Sequence, residues 1–134
     1  DLLTPNLPEA ARLLGSAPAV TPQEAEAQGH ALRALGARAV VMKGGHADGA
    51  TCIDRLVTSD ATHAFEAPRI ATRNTHGTGC TLSSALAAEL AKGASVKGAM
   101  ARAHGWLHGA IRAADGLDIG GGHGPVHHFH EVWA

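Results

Sequence analysis

With 134 residues, 45% of them hydrophobic, the chain is long enough for one domain with a buried core. Aromatics make up only 3%, so that core must be built from Ala, Val, Leu and Ile. A net charge of -1 argues against nucleic-acid binding through a basic surface, and no apolar run approaches the length that spans a bilayer.

Leu2-Leu3-Thr4 reads as the end of a strand, which Pro5 stops because it has no N–H to give to a ladder. Asn6 suits an N-cap, with Pro8 and Glu9 in the first turn of a helix over Glu9 to Leu14 that Gly15 closes. Thr21-Pro22-Gln23-Glu24 has the form of a capping box with proline at the first helical position. Ala25, Gln28, Leu32 and Leu35 fall near one face of the helix that follows, and Gly36 ends it. Ala39-Val40-Val41-Met42 is a continuous apolar run directly after a helix, the pattern of a buried parallel strand. Thr51 to Thr58 and Thr62 to Ile70, separated by Ser59-Asp60, read as an antiparallel hairpin. A glycine turn at Asn74 to Gly79 leads into a helix expected to begin near Cys80 and to run to Lys92, with Leu82, Ala85, Leu86 and Leu90 available for packing. Ser95 caps a second, alanine-rich helix to about Ala114. From Gly116 the chain is rich in glycine and histidine. The order predicts an α/β fold with helices on both faces of a mixed sheet.

The chain opens on Asp1 inside an apparent strand, without methionine, and is therefore expected to be part of a longer protein. Its two cysteines, Cys52 and Cys80, make no disulfide framework, and a cytoplasmic setting is expected. Cys52 sits within a strand and reads as core.

Three clusters lie at strand ends or helix starts, where ligands of open α/β sheets bind. Asn6 and Glu9 share a first helical turn and could together hold a hydrated magnesium ion; equally, Asn6 caps and Glu9 complements the helix dipole. Lys43-Gly44-Gly45-His46 ends a buried strand and can set an ammonium and free N–H groups against phosphate, or be a surface lysine before a turn. In His76-Gly77-Thr78-Gly79-Cys80-Thr81 the glycines let backbone N–H groups converge ahead of a helix dipole, an arrangement that binds anions. A helix N-terminus favours the thiolate form of a cysteine, which suits Cys80 to accept a proton. The combined reading is phosphoryl transfer with Cys80 as base.

Thr4 to Ala10, Met42 to His46 and His76 to Ser83 resemble the corresponding motifs of the hydroxymethylpyrimidine and phosphomethylpyrimidine kinases of thiamin biosynthesis, in the ribokinase-like superfamily. Gly122 to Phe129 is similar to that family's chain end, and the motifs fall in the family's order. The resemblance implies a three-layer α/β/α sandwich, of which residues 1–134 are the C-terminal, nucleotide-binding half. It implies ATP-dependent phosphorylation of 4-amino-5-hydroxymethyl-2-methylpyrimidine and then of its monophosphate. Mapped onto this sequence, Cys80 is the base and Gly77, Thr78, Gly79 and Cys80 form the anion hole. Asn6 and Glu9 match the magnesium motif, and Lys43, Gly44, Gly45 and His46 lie near the nucleotide phosphates. Family members are roughly twice this length. A chain of this extent alone is therefore expected to have little or no kinase activity.

The implied partners are a small-molecule substrate and a homodimer, with neither nucleic acid nor membrane. A pyridoxal kinase of the same family remains open, because the discriminating pocket lies outside these residues. Hydroxyethylthiazole kinase shares the glycine–cysteine turn but fits Asn6 to Glu9 less well. A non-catalytic nucleotide-binding module is the reading from another class. His123, His127, His128 and His130 have spacings that could bind a transition metal, but are read as a chain end packed on the domain. His76 could contact phosphate or cap the turn.

Overall fold

The computed structural model describes residues 1–45 and 49–133. They form two compact units, Asp1–Arg69 and Ile70–Ala134.

The first unit holds strands β1 (Leu2–Leu3), β2 (Ala39–Met42), β3 (Thr51–Val57) and β4 (Thr62–Pro68), with helices α1 (Leu7–Leu14) and α2 (Pro22–Ala34) between β1 and β2. The sheet runs in the order β1-β2-β3-β4. β1 pairs parallel with β2, and the remaining pairs are antiparallel, so the sheet is mixed and the hairpin β3–β4 is as expected. Both helices begin on reciprocal caps. Asn6 Oδ1 accepts from the Glu9 N–H at 2.8 Å while Glu9 Oε2 accepts from the Asn6 N–H at 2.7 Å. Thr21 and Glu24 repeat the arrangement. α1 starts at Leu7 rather than Glu9, because the residue after a cap is already helical.

β2 is buried along its whole length. Val40 and Met42 join Val57 of β3, Ala10 of α1 and Leu32 of α2 in one apolar cluster. Val41 and its register partner Leu56 point to the opposite face by strand alternation and are equally buried. That double burial is why the run is continuously apolar. Leu35, expected on the packing face of α2, is instead 71% exposed. The helix has ended at Ala34, and the buried stripe is Ala25, Gly29 and Leu32. Gln28, on the same expected face, turns to the preceding loop and donates to the Ala17 carbonyl at 2.7 Å.

The second unit is a helical hairpin of α3 (Thr78–Ala91) and α4 (Val96–Arg112), followed by a 3-10 turn at Ala114–Gly116. Ser95 caps α4 by accepting from the Gly98 N–H at 3.1 Å. Leu82 and Leu86 of α3 and Met100, Ala103 and Leu107 of α4 are buried, while Ala85 and Leu90 are only partly so. The segment after the 3-10 turn returns to the hairpin, where the His127 N–H donates to the Ala110 carbonyl at 3.0 Å. Its end is tied by Arg102, which bonds both carboxylate oxygens of Glu131 at 2.9 and 2.7 Å. Among the described residues no helix is long and apolar enough to cross a membrane.

Candidate active site

α3 starts differently from the other helices. Its N-cap is Gly77 at φ 80, ψ 7, a left-handed conformation that costs an L side chain roughly 1–2 kcal/mol and glycine almost nothing. No side chain caps it. The first intrahelical bond runs from the Thr81 N–H to the Gly77 carbonyl at 2.8 Å, and the Thr78 N–H makes a long 3.4 Å bond to the Thr75 carbonyl. The N–H groups of Gly79 and Cys80 have no acceptor among the described residues. The two open donors lie at the positive end of a fourteen-residue helix, where negative charge is favoured.

The helix begins two residues earlier than expected, so Cys80 is its third residue rather than its first, and Gly79 lies in the first turn instead of bending the chain. The consequence is useful. A third-position side chain emerges beside the same N–H groups that an anion would meet. Cys80 is exposed and lines a cleft of about 620 Å3 with Thr81, Ser84, Lys92, Trp106 and His128. Ser83 bonds its hydroxyl back to the Gly79 carbonyl at 3.0 Å, which steadies the first turn. The His76 N–H donates to the Gly124 carbonyl at 3.1 Å, so the backbone of His76 is engaged in pairing with the segment near Pro125.

In the first unit the structure brings two of the sequence clusters together. A parallel bridge joins Asn6 to Lys43, and the Lys43 N–H donates to the Pro5 carbonyl at 2.9 Å. Lys43 Nζ stands 3.9 Å from Glu9 Oε2, with the lysine side chain 18% exposed. The same carboxylate oxygen takes the Asn6 N–H, and Asn6 Oδ1 takes the Glu9 N–H. Capping is thus the geometry seen, and it leaves Glu9 Oε1 as the open oxygen of the pair. One outward carboxylate oxygen fits a magnesium ion that keeps most of its waters, and it fits a dehydrated cage of protein ligands poorly. Among the described residues no three His, Cys, Asp or Glu side chains gather as a metal cluster, the histidines of the chain end included.

Gly44 serves packing. A Cβ there would collide with the Ile53 carbonyl oxygen of the neighbouring strand. Its N–H, read from sequence as free for phosphate, donates to Asp54 Oδ1 at 2.8 Å. Gly45 is exposed and its carbonyl accepts from Arg69 Nη1 at 3.0 Å, while Arg69 Nε donates to the Gly49 carbonyl at 2.7 Å. Arg69 thereby ties Gly45 to Gly49. His46 lies outside the described residues. Asp54 and Arg69, and the bond from His128 to Thr81, escaped the sequence reading because the partners are 10 to 47 positions away, with no local pattern to mark them.

Comparison with known proteins adds independent findings. A family described as phosphomethylpyrimidine kinase matches residues 1–127. The hydroxymethylpyrimidine/phosphomethylpyrimidine kinase of Salmonella typhimurium is 53% identical over 99% of this chain and 50% of its own length. The ADP complex of Bacillus subtilis pyridoxal kinase superposes with a TM-score of 0.89 at 35% identity, over 97% of this chain and 48% of that one. The pyridoxal kinase of Staphylococcus aureus bound to AMP-PCP and pyridoxal gives a TM-score of 0.91 at 27% identity, over 98% and 48%. The chain spans about half the length of the curated relatives it matches.

Proposed function

This chain belongs to the phosphomethylpyrimidine kinase family, and on that premise we propose that it carries the nucleotide side and the base of an enzyme that phosphorylates hydroxymethylpyrimidine and its monophosphate with ATP. The fold is of the ribokinase-like α/β class shared with the superposed kinases. The observation that supports the reading best is the start of α3, where two N–H groups without acceptors sit beside an exposed thiol.

Phosphoryl transfer asks a protein for positioning and for donors around spreading negative charge, with little covalent chemistry. The N–H groups of Gly79 and Cys80, turned outward by the Gly77 cap, are fixed donors that take up charge on the transferred group without reorganising. Cys80 Sγ, as the thiolate, takes the proton of the attacking hydroxyl as the new P–O bond to the γ-phosphorus forms. The bond from that phosphorus to the bridging oxygen of ATP breaks, and ADP leaves with that oxygen. Lys43 offers an ammonium to the nucleotide phosphates, and Gly45 supplies exposed backbone beside it. Asn6 holds Glu9 in place, and Glu9 Oε1 would hold a hydrated Mg2+. When bound, that ion neutralises phosphate charge. By the same family reading, residues 1–134 are the C-terminal half of the kinase domain, within a cytoplasmic homodimer.

The test is Cys80→Ala in the full-length enzyme, with turnover and ATP affinity measured separately. A large loss of turnover at unchanged affinity is expected; equal turnover removes Cys80 from the mechanism. The superposition with pyridoxal kinases favours one second reading, pyridoxal as the acceptor. Turnover of the two alcohols by the same enzyme separates them, because both present a hydroxymethyl group on a heteroaromatic ring.

A further inference from the structure

Thr81 follows Cys80 and is the buried polar side chain of the described core, at 7% exposure. Its Oγ1 lies 3.0 Å from Nε2 of His128, 47 positions later. His128 ends a short strap that grips the turn from several sides. The Gly124 N–H donates to Asn74 Oδ1 at 3.1 Å, the Gly124 carbonyl accepts from the His76 N–H at 3.1 Å, and the His127 N–H reaches the last turn of α4. Asn74 is itself anchored, donating through Nδ2 to Asp115 Oδ1 at 3.0 Å. The His128 ring is tilted against Trp106 at a centroid distance of 6.3 Å, and His128, Trp106, Thr81 and Cys80 line one cleft.

We propose that His128 is a positioning residue for the reactive end of α3, acting through its hydrogen bond to Thr81. An uncapped helix start tends to fray, since nothing local holds its first turn. At α3 the hold comes from the far end of the unit. With Thr81 Oγ1 engaged by His128, the Thr81 N–H is left to close the first turn on the Gly77 carbonyl. Without His128 that anchor is lost and the first turn loosens. The N–H groups of Gly79 and Cys80 then lose their common direction, and the thiol loses its fixed place beside them. This inference rests on the reading of residues 77–80 as a phosphate site.

The experiment is nuclear magnetic resonance on the full-length enzyme, following amide exchange at Thr81 and the shifts of Gly79 and Cys80 as inorganic phosphate is added. His128→Ala is expected to speed exchange at Thr81 about two- to tenfold, the range of a lost neutral hydrogen bond. It is expected to weaken phosphate binding about two- to fivefold. His128→Gln keeps a polar atom the same number of bonds from Cα and is expected to restore both. Thr81→Val, which keeps the shape and removes the hydroxyl, should match His128→Ala, and combining the two should add nothing. Unchanged exchange in either single variant overturns the proposal, as does failure of His128→Gln to restore it. If wild type shows no phosphate shift at Gly79 and Cys80, the anion reading falls, and the exchange result still decides whether His128 holds the turn.

Discussion

α1 and α3 each start just after a strand or turn, yet their first turns are finished in opposite ways. At α1 the Asn6 and Glu9 side chains satisfy each other's backbone N–H groups, and Lys43 closes on the carboxylate. At α3 a glycine in a left-handed conformation begins the helix, no side chain caps it, and two N–H groups stay open beside an exposed thiol. A helix start that serves only stability is expected to carry its own cap, because a cap is worth about 1 kcal/mol. Leaving it off forgoes that stability and makes room for a ligand's oxygen atoms. Of the four α-helices among the described residues, α1, α2 and α4 are capped by Asn6, Thr21 and Ser95, which makes α3 the exception.

The contrast can be broken most severely at Cys80. In the full-length enzyme Cys80→Ala is expected to lower kcat about 10²- to 10⁴-fold, the usual contribution of a positioned proton acceptor. Steady-state kinetics with calorimetry of ATP binding checks whether affinity is spared. Next comes Gly44, where the new methyl of Gly44→Ala meets backbone rather than a movable side chain. A loss of about 1–3 kcal/mol is expected from denaturant unfolding. Asn6→Ala should cost about 1 kcal/mol by the same measurement, through the lost cap at α1. A fall in the full-length enzyme's activity that added magnesium offsets would place the Asn6–Glu9 pair at the metal as well, so that both helix starts serve the site.

The smallest effect is a pH response at the chain end. The Arg102 guanidinium, by direct hydrogen bonding and then by its charge, holds the Glu131 carboxyl below its ordinary value of 4.5. A depressed carboxyl contributes stability above the unfolded pKa and loses it as pH falls through the folded one. Acidification below about pH 4.5 should therefore release the tail, where the Phe129 and Trp133 rings stack at 4.7 Å. Tryptophan fluorescence of Trp133 in a Trp106→Phe background reads this, and Glu131→Gln should remove the transition.

Much of the fold was legible in the residues. Thr21-Pro22-Gln23-Glu24 announces its helix through a local code of cap, proline and acid, and the structure repeats it bond for bond. The apolar run at β2 and the hairpin after it follow from burial and alternation, which are also local signals. Leu35 misled because periodicity does not mark where a helix stops. At the site, glycine spacing identified the turn, but not the open N–H groups of Gly79 and Cys80, since openness depends on what fails to reach them. Gly44 illustrates the reverse. Its N–H looked free from the sequence, and Asp54 of the paired strand occupies it.

Local chemistry in the chain was sufficient to determine, to within two residues, where helices start, and which strand is buried and which thiol follows a glycine turn, because caps, turns and periodicity act over a few residues. Tertiary structure alone decided that Lys43 meets Glu9, that Asp54 takes the Gly44 N–H and that His128 reaches Thr81. Those pairings join residues tens of positions apart, and only the packed backbone sets the distances between them.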